Sequence, residues 1–109
     1  MSGKFELSQS ENGQYHFVLK AGNGEVILSS EHYTSKASAE NGIESVQKNA
    51  PDAAHYEKKT ASNGKPFFNL KAANHQVIGT SQLYASEAAR DKGIASVQSN
   101  GVTSTINAL

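Results

Sequence analysis

The chain of 109 residues contains no cysteine, no tryptophan, two prolines and one methionine. Without cysteine it can form neither a disulfide nor a thiolate metal site, and this composition suits a reducing compartment. Basic and acidic side chains number ten each, so no global charge is available to attract nucleic acid or an anionic membrane. The composition therefore disfavours purely electrostatic binders.

Long apolar runs are also absent. The amino-terminal segment MSGKFELSQS lacks the run of about seven apolar residues that a signal peptide needs, and no segment approaches the roughly 20 of a membrane span. Apolar residues at 37% and charged residues at 18% are typical of a folded soluble chain. We therefore expect one cytoplasmic domain with no membrane contact.

The sequence does contain a tandem repeat. The segment GIESVQKN, residues 42–49, returns as GIASVQSN at residues 93–100, and an offset of 51 residues gives 20 identities in 46 aligned pairs. This predicts a single domain over residues 1–109, built of two repeats at about 1–50 and 51–109. The shared residues are mainly turn residues and apolar positions of regular period.

Each repeat begins with three strand patterns separated by turns. In the first strand Phe5 and Leu7 alternate with polar residues, as in a half-buried strand. Asn12-Gly13, Asn23-Gly24 and Asn63-Gly64 predict tight hairpins with positive φ at both central residues, and Asn74-His75 is a weaker fourth signal. One face of the second strands carries three identical pairs, and we assign this face to the core: Phe17 and Phe68, Leu19 and Leu70, Ala21 and Ala72.

A helix follows the third strand in each repeat. Ser35 and Ser86 are placed to cap its amino terminus, and the apolar stripe continues through the Ile-x-x-Val pairs at 43 and 46 and at 94 and 97. A glycine within each helix, Gly42 or Gly93, costs about 1 kcal/mol relative to alanine and suggests close approach to the sheet. The paired Gln47 and Gln98 have no role that the sequence explains.

Strand-like segments come after both helices, at 56–60 and at 102–106. Each half therefore reads as three strands, a helix and a following strand. Half a chain of this kind has little core of its own. We predict an α+β fold in which two tandem βββαβ repeats form one antiparallel sheet with both helices packed on one face.

The first repeat, FELSQSENGQYHFVLKAGNGEVILSSEHYTSKASAENGIESVQKNA, resembles the YegP-like family of small uncharacterised bacterial proteins. The resemblance continues in weaker form through the second repeat. It implies a βββαβ unit used twice with exchanged carboxy-terminal strands, and no established activity. Lys58, Pro66 and Gly79 depart from the pattern of the first repeat, so we do not expect the two halves to be equivalent there.

Catalytic and cofactor motifs are not found in the sequence. The histidines at positions 16, 32, 55 and 75 have no spacing that would put two on one helix or strand face, and a metal site needs three or four converging ligands. There is no G-x-S-x-G motif and no glycine-rich phosphate loop. We therefore predict no metal, no cofactor and no catalytic residue.

Two sets of residues are candidates for a ligand or partner surface. Lys20 and Lys71 occupy the same place in the two repeats and, with His16 and Phe67, could form a mixed aromatic and basic sheet face. Tyr33 and Tyr84 are also paired, two residues before the helix caps. An ordinary solvated face and a tyrosine that packs the loop onto the helix are the structural alternatives.

Three functions stay open at this point. The leading hypothesis is a non-enzymatic module that binds a protein or a small ligand through the sheet face or a sheet edge. The second is weak nucleic-acid binding through Lys20, Phe67 and Lys71. The third is an enzyme with an unrecognised site made of a tyrosine, a serine and a lysine around Tyr33 and Ser35. Because one chain carries two units that can pair internally, we expect a monomer.

Overall fold

Each repeat forms a three-stranded antiparallel meander followed by one helix. The computed structural model of the chain describes residues 3–103 and 105–108. A short 3₁₀ turn, Ala53–His55, links the two repeats. The elements in chain order are β1 Lys4–Gln9, β2 Tyr15–Lys20, β3 Val26–Ser30, α1 Lys36–Asn49, β4 Tyr56–Thr60, β5 Pro66–Lys71, β6 Val77–Thr80, α2 Glu87–Asn100 and β7 Ile106–Ala108.

The strands form one sheet in the order β4-β5-β6-β3-β2-β1-β7. The repeats join where β3 pairs antiparallel with β6, and Ser29 there lies opposite Thr80, its counterpart in the other repeat. A pseudo-two-fold axis therefore passes between these two residues. The predicted α+β fold of two repeats with one sheet is confirmed, but the sheet is mixed because β7 runs parallel to β1.

The last strand belongs by sequence to the second repeat and by pairing to the first. Phe5 donates its N–H to the Thr105 carbonyl (2.9 Å) at the start of this parallel pair. The strand expected at residues 102–106 begins later, at Ile106, because Thr103 still bonds back to Asn100 at the helix end. Ser104, within the expected strand, lies outside the described residues.

The hairpin turns differ in type from the sequence prediction. Gly13, Gly24 and Gly64 have φ values of 85°, 87° and 84°. Among the described residues His75, with φ 69°, is the one non-glycine at positive φ, so the asparagines of these turns do not share it. Each hairpin loop has three residues, and the last of them, which is the fourth residue of a β-turn, has the left-handed conformation. The side chain of each asparagine accepts a hydrogen bond from the backbone N–H two residues further along the chain.

The core lies between the helices and one face of the sheet. The alternation expected from the sequence is confirmed, since the fully buried large side chains include Phe5, Phe17 and Phe68. Both serine caps are confirmed, because Ser35 and Ser86 accept the N–H of the third helical residue at 3.1 Å. The opposite face of the sheet carries no helix in the described chain, and we call it the open face.

The helix glycines make room for a tyrosine side chain and not for the sheet backbone. A methyl group on Gly42 would lie 2.5 Å from the Tyr33 hydroxyl oxygen and 2.9 Å from Phe17 Cε2. Tyr33 stacks on Phe17 with ring centroids 6.2 Å apart. A methyl group on Gly93 would meet Tyr84 in the same way. The expected close approach of each helix is therefore confirmed, but the nearest group is the tyrosine that follows the third strand of each repeat.

Two departures of the second repeat have structural reasons. A Cβ on Gly79 would lie 2.8 Å from Leu28 Cγ, so Leu28 takes the space beside the pseudo-two-fold axis that a second leucine would need. Pro66 begins β5, as expected for a residue without an N–H. Its carbonyl accepts from Tyr84 (2.8 Å), whereas Tyr15 and Tyr33 exchange two such bonds in the first repeat.

We expect Gly42→Ala to lower the free energy of unfolding. Alanine gains about 1 kcal/mol of helix propensity, but overpacking against Tyr33 and Phe17 costs about 1–3 kcal/mol. Urea unfolding followed by circular dichroism measures the difference. Asn41→Ala, at the exposed neighbouring position, is the matched control and should be neutral or slightly stabilising. Equal stability of the two variants would contradict this role for Gly42.

Candidate functional site

Four of the six candidate residues lie on the open face, as two pairs on strands that β6 and β3 separate. His16 and Lys20 alternate along β2 with the core residues Phe17 and Leu19, and Phe67 and Lys71 do so along β5. All four are half-buried. The predicted orientation of these side chains away from the core is confirmed, and their use as a binding surface stays a prediction.

Both lysines of this face are engaged by glutamates. Lys20 Nζ lies 2.9 Å from Glu6 Oε1, and Lys71 Nζ lies 3.0 Å from Glu57 Oε2. A second lysine approaches each carboxylate: Lys4 lies 3.6 Å from Glu6, and Lys59 lies 3.8 Å from Glu57. Each repeat thus holds its strand pair with a cross-strand ion pair at the same place, and the surface is not a patch of uncompensated positive charge.

These contacts change the acidity of the glutamates. The hydrogen bond from Lys20 holds the pKa of Glu6 below its usual value, and the bond from Lys71 does the same for the pKa of Glu57. Asn69 Nδ2 also lies 3.5 Å from Glu57, and Asn69 Oδ1 accepts from the Thr80 hydroxyl (2.8 Å). The open face is therefore a connected polar surface.

The two candidate tyrosines lie on the helix side of the sheet. Burial is the main cause that raises the pKa of Tyr33 and of Tyr84. The hydroxyl of Ser35 caps α1 and donates to Ser38 Oγ (2.9 Å). The proposed cluster of Tyr33 and Ser35 therefore consists of two groups with separate structural contacts.

A cleft opens beside Tyr33 where the first helix faces the turn that follows β5. Its volume is about 390 Å³. Glu31 and Tyr33 are the titratable residues in its lining. The others are Gly42, Ser45, Ala72, Asn74, Gln76, Val77 and Ile78. Such a lining can hold a small polar molecule, with Glu31 and Tyr33 as its titratable groups.

The paired glutamines, which the sequence left unexplained, connect the repeats. Gln47 in α1 donates to the Thr103 carbonyl (2.8 Å) after α2, and Gln98 in α2 donates to the Pro51 carbonyl (3.4 Å) after α1. Each helix therefore satisfies a carbonyl at the end of the other. The only signal in the sequence was that both glutamines were retained.

One sheet edge distinguishes the two repeats. The outer edge of β1 is covered by β7, whereas no strand among the described residues covers the outer edge of β4. Lys58 on β4 lies 3.3 Å from Asp91 Oδ1, which Arg90 also contacts. The hydrogen bond from Lys58 is the main cause that lowers the pKa of Asp91. Lys58 and Arg90 stand where the first repeat has the apolar Leu7 and Ala39.

Two histidines that the sequence separated are neighbours in the fold. The rings of His16 and His32 lie 5.4 Å apart. Within residues 3–103 and 105–108, however, no group of three or more His, Asp or Glu side chains is placed to hold a metal ion. In the same described part of the chain, no helix is both long and apolar enough to cross a membrane.

Comparison with known proteins places this geometry in a family. Residues 10–57 and 61–107 each match the family model described as a domain of unknown function, DUF1508. The chain belongs to the DUF1508 family. The two matches correspond to the two repeats, so each repeat of the chain is one DUF1508 unit. The YegP-like resemblance is likewise confirmed by full-length relatives.

The DUF1508 relatives are themselves uncharacterised. A UPF0339 protein of Acinetobacter baylyi is 69% identical over 109 residues, covering 100% of this chain and 98% of that protein. The UPF0339 protein YegP of Escherichia coli K12 is 64% identical over 106 residues, covering 97% and 96%. None of these names indicates an activity.

Two solved structures of DUF1508 relatives share the fold. The solution NMR structure of a UPF0339 protein from Shewanella oneidensis has a TM-score of 0.94 at 67% identity and covers 100% of this chain and 92% of that one. The solution NMR structure of YegP from E. coli, a protein of unknown function, has a TM-score of 0.94 at 63% identity and covers 99% and 93%.

The glutamates of the open face should make stability depend on pH. Because their folded-state pKa values are lowered, the stabilisation is present above the usual value of 4.5 and is lost as the pH falls through the lower folded values. We expect Glu6→Gln/Glu57→Gln to flatten the fall of the thermal midpoint between about pH 5 and pH 2. The exposed pair Glu11→Gln/Glu44→Gln is the control, and equal profiles of the two double variants would contradict the assignment.

Proposed function

We propose that this protein is a monomeric, cytoplasmic, non-enzymatic interaction module that binds an extended acidic segment of a partner protein along the outer edge of β4. The observation that carries the proposal is the difference between two equivalent edges. In the first repeat the edge strand β1 is extended by β7. In the second repeat β4 has the same place, and no strand of the described chain pairs with its outer side.

A non-enzymatic function is supported by the roles of the duplicated polar groups. The retained Ser30 and Ser81 hydroxyls accept the N–H groups of Phe17 and Phe68 at 2.9 and 3.0 Å. The paired helix caps, glutamines and cross-strand ion pairs also serve the fold, as described above. The chemistry that the two repeats share is thus used in holding strands and helices together.

The backbone of β4 has groups available for strand addition. The N–H and C=O of Phe68 are both bonded to Ser81 on the far side of β5. Lys58, directly opposite Phe68, therefore directs its own N–H and C=O outwards. Two residues along, Thr60 has the same orientation by strand alternation. An extended segment can use these groups as peptides do when they extend a sheet edge.

The register of β7 indicates what such a segment should contain. Ile106 lies beside Phe5, and Ala108 lies beside Leu7. At the equivalent places β4 has Tyr56 and Lys58, so a matching segment would carry an apolar residue beside the first. Beside the second it would carry an acidic residue, which would share the half-exposed Lys58 ammonium group with Asp91. Lysines on an edge strand also oppose pairing with unselected apolar strands, which favours an acidic partner.

Nucleic-acid binding is less well supported. Lys20 and Lys71, the residues on which that hypothesis depended, are each within 3.0 Å of a glutamate oxygen. Binding phosphate there would require breaking these contacts. An enzymatic site around Tyr33 and Ser35 is also less well supported, since the Ser35 hydroxyl caps α1.

A synthetic peptide derived from β7 tests the edge. We expect a capped peptide with the sequence of residues 103–108, but with aspartate in place of Ala108, to shift the amide resonances of Lys58 and Thr60 in ¹⁵N-labelled protein. Lys58→Glu should abolish the response because the peptide carboxylate then meets a like charge. Lys65→Glu, an exposed turn substitution, should preserve it.

A second control separates backbone pairing from charge attraction. Lys58→Pro removes an outward N–H without removing a bond to β5, so it should fold and fail to bind. A peptide with lysine at the acidic position should bind at least about tenfold more weakly, a difference of about 1.4 kcal/mol. Shifts confined to the open face or to the cleft beside Tyr33 would overturn the edge assignment.

We expect the protein to be a monomer in solution. The two repeats already pair through β3 and β6, and Lys58 and Lys59 oppose pairing of two β4 edges by like-charge repulsion. Light scattering should give a mass near 11.6 kDa over a wide range of concentration. A mass near twice this value would contradict the proposed state.

A further inference from the structure

The neighbouring histidines of the first repeat form a local site that the second repeat lacks. His16 lies on β2, and His32 lies in the irregular segment after β3. Their ring centroids are 5.4 Å apart, with the ring planes inclined at 43°. Phe67 and Leu83 occupy the equivalent positions, so the fold itself does not require imidazoles here.

One ring nitrogen of His16 has no protein partner. Its Nε2 lies 3.3 Å from Ser8 Oγ, whereas its Nδ1 is buried and accepts or donates no hydrogen bond within the described chain. A buried N–H without an acceptor is costly. The favoured tautomer therefore carries its proton on Nε2, facing Ser8, and leaves a lone pair on Nδ1.

The separation of the two rings suits a shared metal ion. An imidazole nitrogen binds Zn²⁺ at about 2.0–2.1 Å, which puts the ring centroid about 3.2 Å from the metal, so two ligands at a tetrahedral angle have centroids about 5.3 Å apart. The observed separation of His16 and His32 is 5.4 Å. His32 is exposed, so its side chain can move to open space for the ion beside the buried Nδ1 of His16 and turn a nitrogen towards it.

We infer that His16 and His32 together bind one divalent transition-metal ion of the kind that imidazole prefers, such as Zn²⁺, with water completing the coordination. Ser8 fixes the tautomer of His16 in the way that outer-shell groups orient metal-binding histidines. This site is on the first repeat and does not depend on strand addition at β4.

Titration of the untagged protein with Zn²⁺ alone tests the site. We expect saturable binding of one ion per chain, with shifts in the imidazole resonances of His16 and His32 and none in those of His55 and His75. His32→Leu uses the residue that the other repeat has at this position, and it should weaken Zn²⁺ binding at least about tenfold. His16→Phe should do the same.

Two further variants make the result specific. Ser8→Ala should weaken binding by less than the loss of a ligand does, because it frees the tautomer without removing a nitrogen. His75→Asn removes a histidine from an exposed turn and should leave the affinity unchanged. Unaltered affinity in His32→Leu, an equal response of all four histidines, or no saturable binding would each overturn the inference.

Discussion

The antiparallel pairing of β3 with β6 is the contact on which the rest of the molecule depends. It turns two small meanders into one sheet, and each helix then packs across the boundary, with α1 touching β5 and β6 and α2 touching β2 and β3. Gln47 and Gln98 add hydrogen bonds between the repeats, because each donates to a carbonyl that follows the helix of the other repeat. The buried side chains of the two repeats accordingly form one core cluster.

The features that the sequence predicted are those decided by neighbours in the chain. Strand alternation and the serine caps depend on residues a few positions apart, and they agree with the structure. The orientation of β7, in contrast, depends on residues that are far apart in the chain. It has three residues, all exposed, and its parallel pairing with β1 is decided by where α2 ends in the folded domain.

In the candidate surface, too, contacts within one hairpin could be predicted from the sequence and more distant contacts could not. Glu6 and Lys20 were both retained in the second repeat as Glu57 and Lys71, and a hairpin around Asn12 and Gly13 brings the two charges onto one face, so their ion pair was accessible to reasoning. The contact of His16 with His32 was not, because His32 lies in an irregular segment without periodicity. The uncovered edge of β4 could be recognised only after β7 had been assigned to β1.

Leu28 and Gly79 make the two repeats different where they meet at the pseudo-two-fold axis. They are counterparts in sequence, and beside the axis the side chain of one fills the space left by the other. A chain made of two first repeats would bring two leucines into conflict, and one made of two second repeats would leave a void. The halves are thus a complementary pair at this axis, an internal heterodimer and not two equivalent copies.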